Sequence, residues 1–96
     1  MESNIITSIK YDKIERKIEF NDQKIIKTVH QLELYTDKLT TSSHRFKLND
    51  VYDISYRSFS GPDGILYLHT SQGVFSYEIK EDPSGFIEIA KQYINK

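Results

Sequence analysis

Two glycines enclose a proline and an aspartate at Gly61-Pro62-Asp63-Gly64, and this pattern has two interpretations. A glycine-rich loop can hold a phosphate when a strand precedes it and a helix follows, because N–H groups at the helix N-terminus then meet the anion. Here the following residues, Ile65-Leu-Tyr-Leu-His, alternate as a strand, and no Lys-Ser or Lys-Thr pair is present. Proline followed by aspartate and glycine is turn chemistry. The sequence therefore predicts a turn between strands.

Side chains capable of acid–base or nucleophilic chemistry form no familiar set. His30, His44 and His69 are too far apart for a short metal motif such as His-Glu-x-x-His, although the fold could still bring them together. Ser58-Phe-Ser-Gly lacks the first glycine of a nucleophile elbow. The chain has no cysteine, and therefore no thiol nucleophile, disulfide or cysteine metal site. We predict a non-enzymatic protein without a metal or cofactor.

Composition indicates one domain, residues 1–96, of a size that can bury a core without metal or disulfides. The net charge of −1 carries no electrostatic footprint for nucleic acid. The N-terminal residues MESNIITSIKY do not resemble a signal peptide, and no apolar run approaches the roughly 18 residues of a membrane span. We therefore expect a cytoplasmic protein. Seven Tyr, five Phe and a single Ala favour strands over an all-helical domain.

Alternating apolar residues predict a hairpin near the N-terminus with a two-residue loop at Asp12-Lys13. The expected pairs are Tyr11 with Ile14, Thr7 with Ile18, Ile5 with Phe20, and Lys10 with Glu15. A turn follows at 21–23, and then a β-rich run, 24–35, whose faces conflict unless a bulge lies near His30-Gln31. After a turn at 36–38, short strands are expected at 39–43 and 45–48.

The second half predicts a strand at 51–58, with Tyr52, Ile54 and Tyr56 on one face. A hairpin with its loop at Gln72-Gly73 follows. It pairs Thr70 with Phe75, Leu68 with Tyr77, and Leu66 with Ile79, on one apolar face. A C-terminal helix is predicted from Pro83 to Lys96, with Asp82 as N-cap and an apolar stripe of Phe86, Ile89, Ala90 and Tyr93.

These elements give the fold class as mainly β. We expect an antiparallel meander of about seven strands, forming a barrel or orthogonal sandwich, capped by one C-terminal α-helix. The runs Leu32-Glu-Leu-Tyr-Thr-Asp-Lys-Leu39 and Phe46-Lys-Leu-Asn-Asp-Val51, with the hairpin and helix after them, resemble small bacterial pleckstrin-homology-like (PH-like) domains. That resemblance implies a PH-like barrel. It also implies a binding module, because members bind phosphoinositides, peptides or partner proteins.

Two sets of residues are candidates for binding. Exposed aromatic or apolar residues near strand ends can anchor a protein partner: Tyr35, Phe59, Tyr67 and Val74. In the PH-like resemblance, basic residues near the loop joining the first two strands hold lipid headgroups. The corresponding residues here are Lys10, Lys13, Arg16 and Lys17, or Lys38 in a different alignment, with a second basic group at Arg45 and Lys47. Glu15 and Glu19 interrupt the first group and weaken its field.

We therefore interpret the chain as a small protein- or peptide-binding module, with self-association as one form of that activity. The alternative is a binder of anionic phospholipid or a membrane surface through the basic residues. An enzyme or ligand pocket inside the barrel is a distant third hypothesis.

Overall fold

The computed structural model describes residues 5–61 and 63–94, and it leaves the side chains of residues 15–17 undescribed. The seven strands are β1 (Thr7–Glu19), β2 (Asp22–Leu34), β3 (Lys38–Thr40), β4 (Arg45–Lys47), β5 (Val51–Ser60), β6 (Asp63–Thr70) and β7 (Gly73–Ile79). A single turn of 3₁₀-helix, Leu48–Asp50, joins β4 to β5, and one α-helix, α1 (Ser84–Ile94), follows β7.

The strands form one antiparallel sheet in the order β4-β3-β2-β1-β7-β6-β5. Two meanders, β1 to β4 and β5 to β7, therefore meet where β1 pairs with β7. The predicted mainly β meander with one C-terminal helix is confirmed. The sheet is not closed into a barrel, because β4 and β5 are its two edges; it is an open or sandwich-like sheet.

The core lies between the inner faces of the two meanders and α1. Successive side chains of a strand point to opposite faces, so alternate residues of each strand enter the core. Its buried members are Ile9, Tyr11, Leu32, Leu34, Leu39, Phe46, Leu48, Val51, Ile54, Leu66, Leu68, Ile79, Phe86 and Ala90.

The predicted N-terminal hairpin is wrong. β1 continues through Asp12-Lys13 to Glu19, and the turn lies at Phe20-Asn21. β1 pairs with β2 along its whole length, so none of the four expected pairs forms. This register places Ile9 beside Leu32, both buried in the core, whereas the shorter hairpin would have left β2 without that partner.

Two further details of register differ from expectation. β2 contains no bulge near His30-Gln31, since its pairing with β1 runs without a shift. Apolar residues occur on both faces of β2 because the adjacent residues Ile25 and Ile26 point to opposite faces and both are exposed. Neither face of the strand is buried at this position. In β5, a register shift between Val51 and Asp53 turns Tyr52 outward, so the shared face predicted for Tyr52 and Ile54 is wrong.

The β6–β7 hairpin has the predicted faces but a different register. Its turn lies at Ser71-Gln72, so Leu68 pairs with Phe75 and Leu66 with Tyr77. The expected pairs are displaced by two residues, which keeps every side chain on the predicted face. The Gly-Pro-Asp-Gly segment connects two strands as expected, since β5 ends at Ser60 and β6 begins at Asp63, although Pro62 lies outside the described residues.

The C-terminal helix confirms its predicted start. The Asp82 carboxylate accepts a hydrogen bond from the Ser84 N–H at 3.0 Å, as an N-cap does. The predicted stripe faces the core: Phe86 and Ala90 are buried, and Ile89 and Tyr93 pack against the core partly buried. Residues 95 and 96 lie outside the described part of the chain.

Candidate functional site

The most unusual feature of the molecule is a two-stranded arm, formed by residues 13–28 of β1, β2 and their turn. β1 pairs with β7 at Asp12↔Glu78 alone, and β2 reaches β3 only at Glu33 and Leu34. Beyond these points β1 and β2 pair with each other and with no third strand of the described chain. The arm contributes to the elongated outline of the domain, 50 × 35 × 24 Å.

One face of the arm carries a stripe of exposed β-branched side chains. In the β1–β2 register Ile14 is opposite Lys27, and Ile18 is opposite Gln23. Ile25 lies diagonally between the two isoleucines on the same face, where it is 67% exposed and Ile18 is 77% exposed. An isolated two-stranded ribbon is marginally stable in water, and contiguous exposed apolar surface marks interaction sites. The stripe is therefore a candidate interaction surface.

The tip of the arm presents an aromatic side chain. Phe20 is fully exposed, and its backbone has a left-handed conformation with φ +48°, followed by Asn21 at φ +68°. Positive φ at both central residues is the geometry of a type I′ hairpin turn. A bulky residue is rare there, and such local strain clusters at functional sites.

The outer backbone edge of β1 is open along the arm. The pair that closes a two-residue turn, Glu19↔Asp22, is hydrogen-bonded, and bonded pairs alternate along an antiparallel ladder. The N–H and C=O groups of Ile14, Arg16 and Ile18 therefore point away from β2. No strand among residues 5–61 and 63–94 pairs with them.

A cleft of about 330 Å³ opens where β1 and β7 separate, and we call it the β1–β7 cleft. Phe75, Tyr77, Ile14 and His44 line it. Burial raises the pKa of Tyr77 to about 12, with the Thr41 side chain acting in the opposite direction. The phenol therefore stays neutral near pH 7, and this wall of the cleft is aromatic and uncharged.

An ion-pair cluster anchors the base of the arm. The largely buried Asp12 carboxylate lies 3.4 Å from the Lys27 ammonium and 3.5 Å from that of Lys80. Lys27 belongs to β2 and Lys80 directly follows β7, so the carboxylate connects the arm to the second meander. These ion pairs lie at the point where β1 and β7 diverge.

The structure separates the predicted partner-binding residues. Tyr67 and Val74 lie on one face of the β6–β7 hairpin, where Tyr67 is half-buried and Val74 is exposed. Phe59 is exposed near the end of β5, beside a smaller cavity. Tyr35 follows β2 in the other meander, with the Lys38 ammonium 4.8 Å from its ring centre. The four residues do not form one surface.

Of the predicted basic residues, the structure brings three together. Lys38 pairs with Lys47 across β3 and β4, and Arg45 lies on the same outer face. Lys10 and Lys13 are on opposite faces of β1 because their positions differ by an odd number. The side chains of Arg16 and Lys17 lie outside the described set.

The three histidines do not converge. His30 contacts Thr28, and His44 stacks on Phe46 with the rings 5.7 Å apart. His69 Nε2 lies 2.8 Å from Ser55 Oγ on the outer face of β5 and β6, a contact that the sequence analysis missed. A nucleophile and its base need a third group to orient the base. The neighbouring Asp53 carboxylate instead lies 3.8 Å from the Lys91 ammonium.

The described residues contain no group of three or more His, Asp or Glu side chains placed to hold a metal ion. None of the helical segments in the described chain has the length and apolar character needed to cross a membrane. Comparison of the chain with protein-family models, with curated proteins and with solved structures finds no match.

The arm was not predicted because the first strand was expected to end at Asp12-Lys13. The signal that could have revealed it is the density of isoleucines on both sides of Asn21. Ile14 and Ile18 precede that residue, and Ile25 and Ile26 follow it.

Proposed function

We propose that this protein is a non-enzymatic binding module that adds an extended segment of a protein partner to the outer edge of β1. The observation that carries the proposal is the arm, because it combines an open backbone edge with an exposed apolar stripe. Strand addition supplies affinity through main-chain hydrogen bonds, and pockets for alternate side chains supply specificity. The β1–β7 cleft lies at the base of the same edge and is such a pocket.

The sequence of the arm supports this function over simple edge protection. Edges that avoid pairing are short, or carry proline or charged side chains, above all lysine, and the arm does contain Lys13 and Lys17. The β3 and β4 strands at one end of the sheet follow that rule, with three residues each. β1, in contrast, continues for seven residues beyond Asp12 and presents isoleucines at two of its outward-bonding positions, 14 and 18.

The experiment compares Ile18→Pro with Ile18→Val in capture of binding proteins from an extract of the native host. Proline removes the outward N–H of residue 18, which the β1–β2 ladder does not use, whereas valine keeps both the N–H and the β-branched shape. We expect a protein retained by wild type and Ile18→Val to be lost with Ile18→Pro. Equal retention by all three proteins would contradict strand addition at this edge.

We also propose that the fold is PH-like and that the protein is cytoplasmic. A seven-strand meander that ends in one helix supports the first, and the absence of cysteine is compatible with a reducing compartment. An experimental structure tests the architecture, and cell fractionation tests the location.

A second candidate function is binding of anionic lipid surfaces, which the cluster of Lys38, Arg45 and Lys47 on β3 and β4 favours. Basic clusters attract acidic membranes, and salt screens that attraction. Co-sedimentation with phosphatidylserine-containing vesicles at low and high salt tests it. Salt-sensitive binding that Lys47→Glu abolishes would support this function, and no binding at low salt would remove it.

A further inference from the structure

We infer that the segment added to the β1 edge is β1 of a second copy of this chain, so that two arms pair antiparallel around a two-fold axis. This inference rests on the proposed function, since it names the partner of the same edge. Its product would be a continuous four-stranded ribbon, β2-β1-β1-β2, in which the isoleucine stripes of both copies share one face.

The geometry of a two-fold dimer restricts the possible registers. When the two-fold axis is perpendicular to the sheet, each face of one copy continues as the same face of the other copy. Residues directly opposite each other must then both have even numbers or both have odd numbers, so the residue at the axis lies opposite its own copy. For the segment Lys13–Glu19, three such registers pair five or more residues, with the axis at residue 15, 16 or 17. These three can be compared by charge and polarity.

The register centred on Arg16 is complementary at three of its four distinct contacts. It places Lys13 opposite Glu19, Ile14 opposite Ile18, and Glu15 opposite Lys17. Opposite charges and apolar pairs directly across from each other stabilise antiparallel strands, and like charges destabilise them. The remaining contact places Arg16 opposite its own copy on the axis, and this one like-charge pair opposes the register.

Each of the two alternative registers opposes like charges at two distinct contacts, whereas the register centred on Arg16 does so at one. With the axis at Glu15, this residue faces its own copy and Lys13 faces Lys17. With the axis at Lys17, Glu15 faces Glu19. Both also place Arg16 opposite an isoleucine, so the apolar pair is lost. Of the three registers, only the one centred on Arg16 therefore pairs isoleucines with each other and opposite charges with each other.

The same register explains the exposed aromatic tip. In this register Glu19 of the second copy lies opposite Lys13. The next residue of the second copy, Phe20, is therefore level with Asp12, at the entrance of the β1–β7 cleft. Phe75 and Tyr77 form one wall of that cleft, which has a volume of about 330 Å³. Each arm would thus bring its exposed ring beside Asp12 and Glu78 of the other protomer.

The first test is the oligomeric state and a cross-link. We expect the wild type to form a dimer in sedimentation equilibrium over about 1–200 µM. Arg16→Cys should form a disulfide-linked dimer, because paired Cα atoms about 5.5 Å apart suit a disulfide and the chain has no other cysteine. Lys24→Cys is the matched control, since the two β2 strands would lie about 14 Å apart.

The second test exchanges charges across the interface. Glu19→Lys places Lys opposite Lys13 at two symmetric contacts, and we expect dimer dissociation to become roughly tenfold easier. The double variant Lys13→Glu/Glu19→Lys restores the opposite charges and should recover the dimer. Circular dichroism checks that each variant is folded.

Three results would overturn the inference: a monomeric wild type, cross-linking of Lys24→Cys in preference to Arg16→Cys, or a double variant as weak as Glu19→Lys. A monomer that still captures another protein in an Ile18→Pro-sensitive manner would leave the proposed function standing with a different partner. A monomer that binds acidic vesicles through the arm would replace self-association with membrane binding.

Discussion

Phe86 couples the helix to the sheet at the scale of a single residue. Its ring is buried in the core cluster, on the stripe that faces β1 and β5. We expect Phe86→Ala to lower the free energy of unfolding by about 3–5 kcal/mol, through lost burial and the cavity left behind. Urea denaturation measures this loss, with the exposed Glu88→Ala as control. A loss below about 1 kcal/mol would contradict a docked helix.

Gly64 is a residue that has no room for a side chain. A Cβ at this position would lie 2.5 Å from the Arg57 carbonyl oxygen and 2.6 Å from the Tyr56 ring. We expect Gly64→Ala to destabilise the fold by about 1–3 kcal/mol, because backbone must move. Gly85→Ala is the control, since open space surrounds that position and the helix favours alanine. Thermal unfolding should separate the two variants, and equal midpoints would contradict the close approach.

Asp82 makes helix capping depend on pH. The hydrogen bond from the Ser84 N–H lowers the pKa of Asp82 below its ordinary value of 3.8. A carboxyl with a lowered folded pKa stabilises fully above its unfolded pKa, and this contribution is lost as pH falls through the folded pKa. The stability difference between wild type and Asp82→Asn should therefore shrink below about pH 5. Parallel stability curves from pH 7 to about pH 2.5 would contradict this role.

Individual residues were the most predictable part of the molecule. Asp82, Phe86 and Ala90 follow from local rules of capping and periodicity, which tertiary contacts do not alter here. The environment of Gly64 could not be predicted, because the carbonyl that crowds it belongs to β5 and depends on the β5–β6 register. Likewise, the contact between Ser55 and His69 exists only after the register shift near Tyr52.

At the scale of elements, the turn of the arm is locally strained. Asparagine tolerates the left-handed conformation of position 20 better than phenylalanine does. We expect Phe20→Asn to stabilise the monomer by about 1 kcal/mol in dilute denaturation experiments. Phe20→Ala is the control, because it removes the ring while keeping a Cβ at positive φ. Similar stabilities for the two variants would show that the turn geometry is not the cause.

Strand pairing explains where prediction of the elements succeeded and failed. The β6–β7 faces were predictable because a shift by two residues preserves parity. The first strand was not, because both Asp12-Lys13 and Phe20-Asn21 are compatible with a short turn, and only pairing of Ile9 with Leu32 favours the second. The arm is the consequence of that choice, so the site could not be predicted without the long register.

At the scale of the whole molecule, burial and exposure divide the sheet into two regions of different stability. Leu66 and Leu68 lie at its buried centre, whereas the arm buries little surface. Amide exchange follows local opening, and poorly packed segments open most easily. We expect the Leu66 and Leu68 amides to exchange slowly at any concentration. The outward amides of Ile14 and Ile18 should exchange rapidly in dilute protein and slowly in concentrated protein.

A series of protein concentrations measures amide exchange in both regions, the buried centre of the sheet and the arm. The amide of Ile26 is its internal control, since residue 26 bonds inward to Glu15 within the arm. Protection of Ile14 and Ile18 that does not change with concentration would mean that the edge is already covered within one chain.

The single meeting point of β1 and β7 also has a consequence for biosynthesis. Asp12 and Glu78 are 66 positions apart (78 − 12), whereas β1 to β4 make contacts that are near in sequence. During translation β1 to β4 can therefore begin to pair while β7 is still inside the ribosome, before the core between the two meanders is complete. Until β7 emerges, the β1 edge is exposed over an even longer stretch. On the inference that two arms pair, neighbouring nascent chains on one messenger would meet through this edge, so pairing would begin before β7 emerges.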